Sequence, residues 1–207
     1  MYSAKEEIFN TISHGIGFLL SIPALVVLIV FASLYGDVWH IVSFSIYGSS
    51  LIILYFASTA YHAAKKPVLK HRLNIFDHAA IYVLIAGTYT PFALVTLNGP
   101  WGWSIFGVIW GLAIAGIIFK LFFIGKFRTL SAIGYVLMGW VIIVAVKPLL
   151  DNLAPGGLWW LLAGGISYCI GVIFYVQKKM PYAHGIFHIF VLLGSLCHFI
   201  SVFFYVL

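Results

Sequence analysis

Three histidines of the sequence have the residue type and spacing of metal ligands. His184 and His188 are four residues apart, which places them on one face of a helix about one turn from each other. His62, in another apolar segment, would complete a three-histidine set. Three protein ligands leave the fourth tetrahedral position of a zinc ion for water, as in catalytic zinc sites. The pair alone is weak evidence, because histidines satisfied within a protein core are commoner and the His-Glu-x-x-His motif of soluble metalloproteases is absent.

Asp77 and Ser58 are the polar residues that would complement such a metal. Asp77 is the one acidic residue inside a predicted membrane span, where an aspartate costs about 2.5–3.5 kcal/mol, and a carboxylate can take a proton from a metal-activated water. Ser58 precedes His62 by one helical turn and could hydrogen-bond to a ligand, the water or a substrate carbonyl. The structural alternatives are an ion pair of Asp77 with His62 or Arg72, and a bond from Ser58 to its own helix.

The composition places these residues in an integral membrane protein. Hydrophobic residues make up 63% of the 207-residue chain and charged residues 8%, with a mean hydropathy of +1.10. A soluble domain is about half apolar and about a quarter charged, so soluble enzymes, disordered chains and disulfide scaffolds are excluded. The net charge of +6 is then explained by basic residues at a membrane surface rather than by nucleic-acid binding. Cys169 and Cys197 lie in apolar runs and are interpreted as buried hydrophobic residues.

Seven apolar runs of about 20 residues predict seven membrane-spanning helices. They are Gly15–Leu34, Trp39–Tyr61, Asn74–Leu97, Trp103–Phe123, Leu130–Val146, Gly157–Gln177 and Ala183–Leu207. The runs are apolar on all faces, which favours helices over the alternating strands of a membrane β-barrel. We therefore predict an all-α, seven-transmembrane helix bundle formed by residues 1–207 as a single domain. Gly107 and Gly111 form a GxxxG pair that helix packing within the bundle explains as well as dimerisation does.

The basic residues give the predicted bundle an orientation. Of the 11 lysines and arginines, all except Lys147 fall in the N-terminal segment or in the second-to-third, fourth-to-fifth and sixth-to-seventh connections. These residues are Lys5, Lys65, Lys66, Lys70, Arg72, Lys120, Lys126, Arg128, Lys178 and Lys179. The positive-inside rule then predicts a cytoplasmic N-terminus and a C-terminus outside. This topology is opposite to that of G-protein-coupled receptors, and a retinal protein is excluded because the last span has no lysine for a Schiff base.

This orientation brings the candidate residues to one depth, near the cytoplasmic interface. Within one or two helical turns of it lie Ser58, His62, Asp77, His184 and His188. The residues at the same level that could contact the metal ligands or line the mouth of the site are Tyr61, His14, His78, Glu6 and Asn10. Glu6 and Asn10 would line the mouth of the site, or would simply form the first turns of the first helix. His198 lies about 15 Å further outward by helix rise and is predicted to be separate from the site. His40 and His71 are predicted to lie in loops.

The motifs together resemble those of the hemolysin III family, the bacterial branch of the progestin and adiponectin receptor-like membrane proteins, which are related to alkaline ceramidases. In chain order they are Glu6-x3-Asn10-x2-Ser13-His14, Ser58-x2-Tyr61-His62, Asp77-His78, Ala86-Gly87-Thr88-Tyr89-Thr90-Pro91 and His184-x3-His188. The resemblance covers essentially the whole chain. It implies a zinc ion held by His62, His184 and His188, with Asp77 as a nearby carboxylate and a serine at position 58.

The family has been linked to lipid amide hydrolysis, to membrane-lipid homeostasis and, in bacteria, to cytolysis. The leading hypothesis is a zinc-dependent hydrolase in the bacterial plasma (inner) membrane that cleaves an amide or ester bond of a lipid from the cytoplasmic leaflet. Asp77 would act as general base, and Ser58 or Tyr61 would help to stabilise the oxyanion. The alternatives are a non-catalytic regulator of membrane composition with a structural zinc and, last, a cytolysin. Membrane lipids are the expected partners, nucleic acid is not, and the oligomeric state stays open.

The predicted topology can be tested with a reporter enzyme fused after Leu207. We expect a reporter that is active only outside the cytoplasm to be active at this position, and a cytoplasmic reporter to be inactive. The reason is that the basic residues are predicted to keep the start of the last helix in the cytoplasm, so that its end lies outside. A reporter fused after Lys126 serves as the matched internal control and should show the reverse pattern. Cytoplasmic activity at Leu207 would contradict the common depth of the candidate residues.

Overall fold

The computed structural model describes residues 3–177 and 179–207, so Lys178, used above for the orientation, lies outside the described residues. The α-helices are α1 Ala4–Tyr35, α2 Val38–Ala63, α3 Pro67–Pro91, α4 Gly99–Phe123, α5 Arg128–Gly139, α6 Val146–Asn152, α7 Pro155–Val176 and α8 Ala183–Tyr205. A π-helical segment, Phe92–Leu97, continues α3, and a 3-10 segment, Val141–Ala145, joins α5 to α6. Seven stretches are long and apolar enough to cross a membrane, and the fifth runs over Arg128–Asn152. The predicted all-α architecture with seven spans is therefore confirmed.

The first helix begins well before the predicted start at Gly15 because its N-terminus is capped. The Ser3 hydroxyl accepts the Glu6 N–H, and the Glu6 carboxylate accepts the Ser3 N–H, which together form a capping box. The polar residues that seemed to precede the span are instead buried on the inner face of the helix, among them Asn10, Ser13 and His14. The third span likewise begins at Pro67 rather than Asn74, since proline fits the first helical turn.

Two histidines predicted to lie in loops lie in helices. The Asp37 side chain accepts the N–H groups of Trp39 and His40, so α2 is capped ahead of His40. His40 also lies 3.2 Å, through Nε2, from the Val206 carbonyl, which ties the start of α2 to the end of α8. His71 lies in the second turn of α3. The loop prediction was wrong for both: the Asp37 cap places His40 in the first turn of α2, and Pro67 starts α3 four residues before His71.

The helices pack mainly as sequential neighbours, and α1 also packs against α8. Close approaches occur where glycine leaves room: a Cβ on Gly87 would lie 2.3 Å from Ser50 Oγ, and one on Gly164 would lie 2.2 Å from the His198 ring. A Cβ on Gly107 or Gly111 would meet no atom within 4 Å, so packing within the chain does not explain the GxxxG pair. The contact of α1 with α2 and α8 is the one that positions the candidate site.

Candidate metal centre

Three histidine side chains from two helices meet at one end of the bundle. His62 lies in the last turn of α2, and His184 and His188 lie in the first two turns of α8. The Nε2 atom of His184 is 3.2 Å from Nε2 of His62 and 3.2 Å from Nε2 of His188. All three residues are buried, and their three nitrogens lie within 4.8 Å of one another. The structure therefore brings together the three histidines that the sequence singled out, in a group that could hold a metal ion.

Partners on α1 fix which nitrogen of two of these rings carries the proton. His62 Nδ1 lies 2.7 Å from a carboxylate oxygen of Glu7, which can only accept, so the proton is on Nδ1. His188 Nδ1 lies 3.1 Å from the Ser13 hydroxyl, whose own proton is donated to the Asn10 carbonyl. In both rings Nε2 is then left with a lone pair directed toward His184.

The arrangement of lone pairs is the main evidence that a cation belongs at this place. A single proton on His184 Nε2 could be donated to His62 or to His188, but not well to both. Nitrogen lone pairs that converge at one buried point repel each other. A metal ion at the centre would satisfy all three, as expected of histidine ligands that are oriented by a second hydrogen bond.

Glu7 is the functional residue that sequence reasoning missed. Besides contacting His62, the Glu7 carboxylate lies 2.9 Å from Lys70 Nζ, so an ion pair holds it in place. The available signal was helical spacing: Glu7, Asn10 and His14 follow one another at i, i+3 and i+7 and share one face of α1. The motif had been assigned to Glu6, which the structure places in the capping box of α1.

Glu6 has a second contact, which links α1 to the start of α8. Its carboxylate accepts the N–H of Tyr182 at 3.0 Å, and the Tyr182 ring packs edge-on against Phe9. Tyr182 precedes α8 with a φ of 56°, a left-handed conformation that is uncommon for an aromatic residue. These contacts hold the backbone in that conformation two residues before His184.

A cavity of about 140 Å³ adjoins the histidine group and contains the candidate polar residues. Its lining includes Ser58, Asp77, His78, His14, His184 and His188. The Asp77 side chain is buried. Among the described residues its carboxylate lies within 4 Å of His78 Nδ1, at 3.8 Å, and forms no ion pair with Arg72. The Ser58 hydroxyl lies beside Asp77, and Ser58 Oγ has no hydrogen-bond partner of normal geometry. The cavity wall thus presents a carboxylate and an unsatisfied hydroxyl close to the histidines.

The other candidates occupy different positions around this centre. The His14 ring stacks on His188 with centroids 3.5 Å apart, and neither His14 nitrogen has a hydrogen-bond partner. Asn10 is buried, and its side-chain Nδ2 also lacks a partner. Tyr61 is not among the residues that line the cavity, and Lys70 Nζ lies 5.0 Å from its ring centroid. His14 is therefore an inner neighbour of the histidine group, whereas Tyr61 lies on its outer side.

A second cavity, of about 250 Å³ and mainly apolar, adjoins the first. The two cavities share the residues Thr88, Tyr89, Gly139, Trp140, Gly165 and His198. His198 lines both cavities, yet it is outside the three-histidine group, as the sequence predicted, and its Nε2 lies 3.1 Å from the Leu161 carbonyl. The polar centre therefore lies beside two largely apolar cavities.

Metal analysis of purified variants tests the ligand set and the role of Glu7. His62→Ala, His184→Ala and His188→Ala should each lower metal occupancy and thermal stability, because metal-binding free energy adds to folding. Glu7→Gln should weaken metal affinity by about 10–100-fold, measured by chelator competition, because His62 loses the carboxylate that orients it.

Asp151→Asn is the control, since it also replaces a lysine-paired carboxylate by an amide, but at an exposed residue whose pair is with Lys147 rather than with a histidine of the group. It should retain metal affinity, as should His198→Ala. Full occupancy in both His184→Ala and His188→Ala would exclude the α8 pair as ligands, and equal losses in Asp151→Asn and Glu7→Gln would exclude a specific role for Glu7.

Comparison with known proteins shows which family has this arrangement. The family model described as "Haemolysin-III related" matches residues 2–199. The chain is 53% identical over 203 residues to "Hemolysin-3" of Bacillus cereus, covering 98% of this chain and 93% of that protein. It is 53% identical over 205 residues to a "Hemolysin-3 homolog" of Bacillus subtilis (strain 168), covering 99% of this chain and 96% of that protein. It is also 29% identical over 203 residues to the human "Monocyte to macrophage differentiation factor", covering 95% and 83%. The chain is therefore a multi-pass membrane protein that belongs to the haemolysin III-related family.

Proposed function

We propose that the protein is a zinc-dependent hydrolase that cleaves an amide or ester bond of a membrane lipid at the cytoplasmic leaflet of the bacterial plasma membrane. The observation that carries the proposal is the convergence of three histidine Nε2 atoms beside a cavity that holds one carboxylate and one unsatisfied hydroxyl. Such a set contains a metal site, a base and a hydrogen-bond donor, which are the parts that metal-assisted hydrolysis requires.

Zinc is the metal that fits the donor set best. Two of the Nε2–Nε2 distances are 3.2 Å. Zinc–nitrogen bonds of about 2.0–2.1 Å in a tetrahedron place two ligand nitrogens about 3.3 Å apart. Three neutral imidazoles without a fourth protein ligand match catalytic zinc sites, whereas structural sites are usually closed by four ligands. We therefore assign the position to zinc with one exchangeable coordination site.

The residues of the chain would divide the chemistry between them. A zinc ion with an open position polarises a carbonyl and makes water more acidic. The Asp77 carboxylate accepts the proton of the attacking water and then returns it to the amine or alcohol that leaves, so the products are a carboxylic acid and that leaving group. The Ser58 hydroxyl donates a hydrogen bond to the carbonyl oxygen, where negative charge develops in the transition state. Ser58 suits this role because its hydroxyl lies beside Asp77 in the cavity wall and makes no hydrogen bond of normal geometry there.

The shape of the enclosure supports a lipid as the substrate. The histidine group lies at the end of the bundle that the positive-inside rule predicts to be cytoplasmic, and the cavities beside it are lined mainly by apolar side chains. A molecule with a polar head and a hydrocarbon chain could lay its chain in this space while its scissile bond stays beside Asp77. A water-soluble substrate would leave the apolar part unused.

A non-catalytic regulator is the second candidate, favoured by the way the centre joins helices. The histidines come from α2 and α8, and their partners Glu7 and Ser13 come from α1, so a metal would tie three helices together. In this alternative the metal stabilises the fold, and the protein affects membrane composition without turnover. A cytolytic role is suggested only by the names of the two Bacillus relatives.

Asp77→Asn separates the hydrolase from the regulator. The amide keeps the size of the side chain but cannot accept a proton, so hydrolysis should slow by about 10²–10⁴-fold while zinc stays bound. The measurement is a lipidomic comparison of amides, esters and free fatty acids in cells that express wild type, Asp77→Asn or His188→Ala in place of the native protein. Both variants should shift lipids in the same direction, and only His188→Ala should lose zinc.

Asp151→Asn makes the same chemical change at an exposed residue that pairs with Lys147, and it should leave the lipid profile unchanged. If cells that express zinc-replete Asp77→Asn have the same lipid composition as cells with wild type, the hydrolase is contradicted and the regulator is favoured. Zinc loss in Asp77→Asn would instead assign Asp77 as a ligand, against the role proposed here.

A further inference from the structure

Lys120 is a buried cation without an acidic partner. It lies in the last turn of α4 and is only 2% exposed, although lysine is almost never fully buried unless it is paired. Its Nζ donates to the Ser131 hydroxyl at 2.5 Å and lies 5.8 Å from the centroid of the Tyr135 ring. No carboxylate among the described residues lies within salt-bridge distance of it. An ammonium group has three donors, and one hydroxyl satisfies only one of them.

Arg128 is a second cation in the same region with unused hydrogen-bonding capacity. It begins α5, one turn before Ser131, and its guanidinium lies 4.3 Å from the centroid of the Tyr175 ring. One terminal nitrogen donates to the Tyr175 carbonyl, whereas the buried Nε–H has no partner. As with Lys120, the ion pairs of the described residues include none to Arg128.

Both cations adjoin the wall of the cavity beside the metal centre. Tyr135, which lies under Lys120, donates its hydroxyl proton to the His78 carbonyl at 3.1 Å. Tyr175, which lies under Arg128, has its hydroxyl 3.2 Å from His78 Nε2. His78, Tyr135 and Tyr175 all line the cavity. Lys120 and Arg128 are thus each one aromatic ring away from the space in which the proposed substrate lies.

We propose that Lys120 and Arg128 form an anion site that binds the phosphate of a phospholipid head group next to the metal centre. Two cations with unsatisfied N–H donors and no carboxylate provide the charge and the hydrogen bonds that a phosphate oxygen accepts. The positive-inside rule predicts that the site lies at the level of the cytoplasmic head groups, where a phospholipid presents a phosphate close to its ester bonds. The inference rests on the proposed function in treating this lipid as a substrate, and it narrows the substrate to a phospholipid.

Lys126 provides a control for general attraction between basic residues and anionic membranes. It lies in the same α4–α5 connection but is exposed, and no contact ties it to His78. A surface effect would be weakened equally by Lys120→Gln, Arg128→Gln and Lys126→Gln. A built site would be weakened only by the first two.

The test measures the thermal midpoint of zinc-replete protein in a neutral detergent while phosphatidylglycerol is added, or diacylglycerol, which has the same acyl esters but no phosphate. For wild type we expect an apparent affinity about tenfold higher for phosphatidylglycerol, since diacylglycerol has no phosphate oxygen to accept charge-assisted hydrogen bonds from the two cations. Lys120→Gln and Arg128→Gln should each lose this preference, and Lys126→Gln should keep it. If Lys120→Gln does not fold, Lys120→Arg should fold and retain the preference, and Arg128→Gln carries the test.

Inorganic phosphate distinguishes a lipid head group from a free anion. At concentrations up to tens of millimolar it should not reproduce the stabilisation by phosphatidylglycerol; full stabilisation by phosphate alone would overturn the assignment to a lipid. Equal affinity of wild type for the two lipids, or equal losses in all three glutamine variants, would overturn the site itself. Because the readout is binding, preference for phosphatidylglycerol without hydrolysis would contradict the proposed function alone, and hydrolysis without the preference would contradict only this inference.

Discussion

The convergence of three imidazole nitrogens on one buried point is the constraint around which this end of the bundle is organised. With His62 and His188 protonated on Nδ1, their Nε2 lone pairs both face His184, and a cation is the simplest way to stabilise them. The ends of α2 and α8 must then meet within a few ångströms, and α1 must present acceptors to the outer nitrogens. The first turns of α1 are polar, so hydropathy alone would place them outside the membrane. They are buried because they supply these acceptors.

The same constraint explains where the backbone departs from regular helix. Tyr182 adopts a left-handed conformation just before α8, and its N–H is held by Glu6. The capping box that starts α1 thus also fixes the start of the helix that carries two of the histidines. The pairing of the adjacent Glu7 with Lys70 connects α1 to α3. A small number of charged residues, all near one interface, determines the relative positions of four helices.

The sequence predicted the seven spans and the three histidines because both depend on local regularities, namely apolar length and four-residue spacing. The helix ends were less predictable: the cap at Ser3 extends α1 well beyond its apolar run, and the cap at Asp37 places His40 in the first turn of α2 rather than in a loop. Glu7 was missed because its role depends on which face of α1 is buried, and that is decided by packing against α2 and α8. The pairing of Lys120 with Ser131 is a tertiary contact across a connection, and no spacing rule indicates it.

X-ray absorption at the zinc edge of the purified, zinc-replete protein tests the central claim most directly, because it reports the number and type of ligands without depending on a substrate. The account predicts three imidazole nitrogens at about 2.0–2.1 Å and one oxygen that exchanges with added small anions. Replacement of any one of the three histidines should remove one imidazole or the zinc itself. A spectrum with sulfur ligands, with four protein nitrogens, or with zinc coordinated only by water and carboxylates would contradict it.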